Sequence, residues 1–177
     1  YSRVVGVVTD LCGRVMARTE VATRPETGLE SVLDRIARTA AQLRDLLGAD
    51  APRLVGVGVG VPGLVDHEAG VSRFSPNLGW EQVPVARILS ERLGLPVCVD
   101  NDVRAATLAE HWYGAGERAA NVVVLYVGSA IGSGLVIGGQ LHYGSTGAAG
   151  EIGHIVVEPD GPPCSCGKYG CLEAVAS

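Results

Sequence analysis

Three cysteines stand within eight residues, spaced Cys164-x-Cys166-x4-Cys171, and His154 lies ten positions before the first of them. Thiolates and a neutral imidazole are the ligands zinc takes in structural sites, four at a time and tetrahedrally. Gly167 and Gly170 let the backbone between the cysteines curl tightly enough for the sulfurs to converge. Three unrelated core cysteines would be the alternative. The polar run that carries them, with Ser165 and Lys168 between the thiols, argues against it. His154, Cys164, Cys166 and Cys171 are therefore the expected ligands of a Zn2+ ion. A closed Cys3His shell leaves no position for water, so the ion is expected to be structural and to hold His154, Glu151 and Glu173 in place.

A second group of polar residues, Asn101-Asp102, opens an alanine-rich stretch. Asp102 stands where a helix N-cap belongs, and a carboxylate there can bond the first orphan amides. The run Gly128-Ser129-Ala130-Ile131-Gly132-Ser133-Gly134 lacks the Lys and Ser/Thr of a P-loop. It reads equally as a hairpin turn or as a backbone that approaches phosphates.

The elements that must position these groups follow from periodicity. Arg3 to Thr9 and Arg14 to Thr19 are β-branched runs around an Asp-Leu-Cys-Gly turn, predicting a hairpin. Glu30 to Leu47 carries apolar residues at 3.6-type spacing and stops at Gly48, predicting an amphipathic helix. Leu54 to Val61 is a buried-type strand ended by Pro62-Gly63. Val83 to Leu93 reads as a helix, Leu95 to Val99 as a strand and Val103 to Tyr113 as a helix. Asn121 to Val127 and Gly134 to Ile137 form a second hairpin. The change in character near Val99 to Asp102 divides the chain into an N-terminal α/β lobe, residues 1–100, and a second lobe, residues 101–177, with a cleft expected between them. Cys12 and Cys98 fall in apolar runs and are expected to be small core residues.

Composition bounds the function. The chain has 177 residues, 47% hydrophobic and 19% charged, as a globular α/β protein has. A formal net charge of -5 leaves no broad basic surface for nucleic acid. Apolar runs are too short and too broken to span a bilayer. Five cysteines, an odd number with three clustered, argue for a metal site in a reducing compartment rather than a disulfide framework, hence a cytoplasmic location. The chain opens on a strand and stops as a helix begins, so both ends read as cuts through a larger fold.

Gly150-Glu151-Ile152-Gly153-His154, followed by Cys164-Ser165-Cys166-Gly167-Lys168-Tyr169-Gly170-Cys171-Leu172-Glu173, resembles the signature of the ROK family of sugar kinases and sugar-responsive repressors. Gly128 to Gly134, Gly147-Ala148-Ala149, Asn101-Asp102, Val61-Pro62-Gly63 and Pro76-Asn77-Leu78-Gly79-Trp80 are similar to that family too. The resemblance implies an actin-like, ribonuclease-H-type α/β fold with two lobes around a cleft and a small zinc loop. It implies that Asn77, Asn101, Asp102, Glu151, His154 and Glu173 bind sugar hydroxyls, with His154 giving one ring nitrogen to sugar and one to zinc. In the kinases Asp102 would be the catalytic base. Gly128, Ser129, Gly132 and Gly134 would approach the phosphates of ATP, used with Mg2+.

The family also contains transcriptional regulators, in which a DNA-binding segment precedes a similar sugar domain. Thr9-Asp10-Leu11-Cys12-Gly13-Arg14-Val15 resembles the second strand and turn of regulators, and Ala130 stands where kinases carry glycine. Both favour a sugar-sensing effector domain that reaches DNA only through a segment upstream of Tyr1. An ATP-dependent, glucokinase-like hexose kinase is the alternative. The resemblance further implies a homo-oligomer, dimer or tetramer, and no membrane partner.

Overall fold

A computed structural model describes residues 2–177, Pro52 by its backbone alone. The chain divides into two compact units, Tyr1–Asp100 and Asn101–Ser177.

In the first unit, β1 (Arg3–Thr9) and β2 (Val15–Ala22) pair antiparallel. Asp10 closes their turn, its carboxylate accepting the Cys12 and Arg14 amides at 2.9 and 3.0 Å. That turn leaves Cys12 exposed, and Cys98 is exposed on its strand as well, so neither is the core residue expected. An apolar run does not say which of its alternating side chains faces inward. Helix α1 (Leu29–Leu47) begins one residue earlier than expected and is closed by Gly48 with φ 52°. A 3-10 segment, Gly48–Arg53, follows it and delays strand β3 to Val57–Val61.

Three strands went unread in the sequence. β4 (Leu64–Asp66), β5 (Val71–Ser75) and β6 (Trp80–Val83) form an antiparallel meander. They are short, and only five residues at most alternate, too few for a period to stand out. Helix α2 (Val85–Leu93) and strand β7 (Val97–Asn101) complete the unit, β7 hydrogen-bonding to β3. Val32 and Leu33 of α1, Val85 and Leu89 of α2, Val61, Val65, Trp80 and Val99 of the strands form one buried apolar cluster. Each such side chain contributes about 1.5–3 kcal/mol when fully withdrawn from water.

In the second unit, α3 (Asp102–Tyr113) packs on a sheet of β8 (Val122–Val127), β9 (Ile131–Ile137) and β10 (Gln140–Leu141), ordered β10-β9-β8. A long irregular segment leads to the short helix α4 (Leu172–Ala176). Gly132 and Gly134 belong to β9, not to the loop, because strand pairing runs down to Val127↔Ile131. Gly134 is glycine for packing: a Cβ there would lie 2.0 Å from Thr107 Oγ1 of α3. Only Gly128, Ser129 and Ala130 remain in the turn, with Gly128 and Ser129 exposed.

Among the described residues, no helix is long and apolar enough to cross a membrane.

Candidate functional site

The residue that caps α3 is Asn101, not Asp102. Asn101 is still extended (φ −63°, ψ 139°), and its Oδ1 accepts the Val103 and Arg104 amides at 2.9 and 3.0 Å. The amide side chain is buried by that role. Asp102 is displaced to the first helical position, where it is exposed and accepts the Val103 amide, at 2.9 Å. One carboxylate oxygen is thus committed to the helix, at the positive end of its dipole.

The segment after β10 returns to lie along β9. The Ser133 amide and hydroxyl both donate to the Gly150 carbonyl at 2.9 Å. This fastening sets Glu151 and the 3-10 turn Ile152–His154 against the strand. From there the chain folds back on itself: Leu172 donates to Ile155 at 2.9 Å, and Val157 donates to Gly170 at 2.9 Å. Gly170 sits at φ 63° with the Glu158 carbonyl only 1.4 Å from where a Cβ would be. No other residue fits. The knuckle 164–167 is a tight turn in which Cys164 donates to the Lys168 carbonyl at 2.8 Å and Gly167 to the Cys164 carbonyl at 3.0 Å.

These turns bring the four expected ligand atoms together. His154, Cys164, Cys166 and Cys171 each offer a donor atom, all within 4.8 Å of one another. Cys166 and Cys171 sulfurs are 3.7 Å apart, and Cys164 Sγ is 3.5 Å from His154 Nδ1. A tetrahedral zinc with Zn–S about 2.3 Å and Zn–N about 2.0–2.1 Å puts sulfurs about 3.8 Å apart and sulfur to nitrogen about 3.5 Å. The donor set fits the ion in chemistry, and these two separations match it. Burial pushes the Cys171 thiol up to about 11, and the adjacent Cys166 and Cys164 sulfurs push the same way. At Cys166 burial acts against the thiolate, but the Lys168 amide, the other two thiols and the Lys168 charge outweigh it and lower its pKa. Three crowded thiols resist ionising together, and a cation in their midst removes that resistance.

His154 turns its other nitrogen away from the sulfurs. Nε2 lies 3.9 Å from Glu151 Oε2. Burial raises the Glu151 pKa, opposed by the charges of His154 and Arg104 and reinforced by those of Asp102 and Glu173. Four titratable groups and one arginine therefore share one electrostatic neighbourhood. Glu173, on the first turn of α4, accepts the Ile131 amide at 3.1 Å, which ties α4 to the start of β9. Ser165, from the cysteine knuckle, approaches its other oxygen at 3.5 Å. Asn77 lies in the β5–β6 turn of the first unit, where Leu78 donates to Ser75 at 3.1 Å. Arg104 is the site-region residue that the sequence reading missed. A cation in the first turn of a helix opposes the dipole, and that was the available signal.

The sequence model of the ROK family matches residues 2–177. The chain belongs to the ROK family. It is 44% identical over 174 residues to a glucokinase of Thermotoga maritima, covering 98% of this chain and 53% of that protein. It is 35% identical over 174 residues to a putative xylose repressor of Caldicellulosiruptor sp., covering 97% of this chain and 43% of that protein. Among solved structures, the crystal structure of a ROK family glucokinase from Streptomyces griseus in complex with glucose and AMPPNP superposes with a TM-score of 0.91 at 37% identity. It covers 99% of this chain and 54% of that one. The chain spans about half the length of these relatives. Its architecture is accordingly that of the actin-like sugar-kinase fold, and its relatives include both ROK glucokinases and ROK repressors.

Proposed function

We propose that this chain is the sugar-binding part of a ROK regulator, in which Glu151, His154, Glu173, Asn101, Asp102 and Asn77 bond a sugar or sugar phosphate and a zinc ion holds the first three in register. The observation that carries sugar binding is the split of His154: Nδ1 faces the thiols and Nε2 faces Glu151. A metal on one nitrogen fixes the tautomer, so the other presents its proton to an acceptor in a set direction. A sugar needs such a fixed ring of carboxylates, amide and imidazole, since each mispaired hydroxyl costs about 1–3 kcal/mol.

The regulator reading is supported by the two β9 glycines that follow the turn 128–130. Of the four residues expected at nucleotide phosphates, Gly132 lies in β9 within 3.3 Å of Val103 (measured to its added Cβ) and Gly134 is packed on Thr107. Both have a packing role that requires no nucleotide. Ligand binding would then shift the population of a DNA-binding state. A hexose kinase is the second reading, favoured by the 44% identity to a glucokinase and by the exposed carboxylate of Asp102. There Asp102 would accept the proton of a sugar hydroxyl as the γ-phosphoryl of MgATP transfers.

Titration calorimetry with a panel of hexoses and hexose phosphates tests the shared claim; silence towards all of them removes it. Coupled assay with MgATP then separates the readings. Sugar binding without phosphorylation supports the regulator. Turnover that disappears in Asp102→Ala, with the sugar still bound, supports the kinase.

A further inference from the structure

Arg104 is 2% exposed, the largest fully buried side chain among the described residues. It stands one helical position past Val103, just behind the exposed Asp102, on the face of α3 turned towards the second unit's interior. Burying a guanidinium is costly unless it is paired and hydrogen-bonded. Two partners come from the irregular segment after β10. Nη1 donates to the Gly147 carbonyl at 2.6 Å, and the guanidinium carbon lies 5.2 Å from the centre of the Tyr143 ring, within cation–π range. That segment has no regular structure between Leu141 and the 3-10 turn at Ile152, and it contains Gly144, Gly147 and Gly150 at left-handed φ. A stretch so rich in glycine has much conformational entropy to lose. Arg104 holds it at two points, and Glu151 comes next along the chain.

We infer that Arg104 is a positioning residue: through Tyr143 and Gly147 it fastens the segment 142–150 to α3 and so sets where Glu151 meets the ligand. The inference rests on the sugar-binding reading above. It deepens that reading by naming a residue that touches no ligand yet controls affinity. The fixed fork of the guanidinium matters, because a lysine ammonium cannot present a planar face to the ring while reaching the Gly147 carbonyl in the same geometry.

The test uses the whole protein and two readouts. Hydrogen exchange measured without any sugar is expected to quicken at amides 143–151 in Arg104→Met, while amides 155–171 and the bound zinc stay as in the wild type. Calorimetry with the sugar bound best by the wild type is expected to show affinity lowered about tenfold, the effect of losing one charge-assisted hydrogen bond. Arg104→Lys is expected to recover part of both, a rescue that simple loss of packing would not give. Unchanged exchange at 143–151 in Arg104→Met overturns the fastening. Quickened exchange with unchanged affinity overturns the link to Glu151. Should Arg104→Met fail to fold, Tyr143→Ala removes one anchor and is read in the same way. A wild type that binds no sugar sinks the functional reading, while the exchange experiment still decides the fastening.

Discussion

The first unit and the cysteine segment of the second are held together by different physics. Around Leu33, Leu89 and Trp80, apolar side chains from two helices and several strands, many of them distant in sequence, exclude water. Between Ile155 and Cys171 the apolar residues are spilled outward: Ile155, Val156 and Val157 are 57%, 43% and 50% exposed. These three side chains add little buried area to that segment. What converges there is backbone turns and three thiols, which meet His154 in a group that could hold a metal ion. The contrast teaches that one part of the chain obtains its order from the hydrophobic effect, whereas the other gathers donor atoms that could hold an ion, and Glu151, His154 and Glu173 flank that second part.

The largest break in this comparison should come from Cys166→Ser. With a ligand gone, elemental analysis should find zinc reduced from one equivalent to a small fraction, and hydrogen exchange in 155–171 should rise towards that of unfolded chain. Structural zinc supplies on the order of 10 kcal/mol or more in small metal-folded domains, so several kcal/mol of local stability are at stake. Full zinc and full protection in this variant would mean the cluster is incidental. Leu33→Ala is the mirror experiment. It should cost about 2–5 kcal/mol in denaturant unfolding of the first unit through the cavity it leaves, with zinc stoichiometry untouched. Loss of zinc in Leu33→Ala would erase the distinction between the two regions.

Smaller effects sharpen the picture. Asn101→Ala removes the acceptor of two α3 amides and should lower stability by about 1 kcal/mol. Asp102→Ala, which leaves that cap alone, should be milder. If Asp102→Ala proved the more destabilising, the cap would be misassigned. The weakest effect is acid-linked and confined to the first unit. The Ala69 amide and the Arg73 guanidinium lower the pKa of Asp66 below 3.8. A carboxyl depressed on folding gives stability that is present above its unfolded pKa and lost as pH falls through the folded value. Asp66→Asn should therefore narrow the stability gap between wild type and variant below about pH 4. An unchanged gap down to pH 2 would remove this link.

How much could be read beforehand depended on distance along the chain. His154 and the three cysteines lie within 18 residues, so ligand types and spacing sufficed to expect their convergence. Helix α1 was legible because 19 residues repeat one apolar period. The short strands β4 to β6 were not, since three to five residues cannot display a period. The capping role passed from Asp102 to Asn101 because both residue types can cap. Only the backbone angle at Asn101 decided between them.

Residue types alone therefore sufficed to place the chain in its family and to expect a metal site, because coordination depends on which atoms are supplied locally. Tertiary structure decided what each glycine and each buried charge is for. Gly134 became a packing position when Thr107 came to rest 2.0 Å from its missing Cβ, and Arg104 became an anchor when a loop more than forty residues away closed on it at 2.6 Å. Such roles arise from contacts between remote segments, and no local pattern encodes which remote segment will arrive.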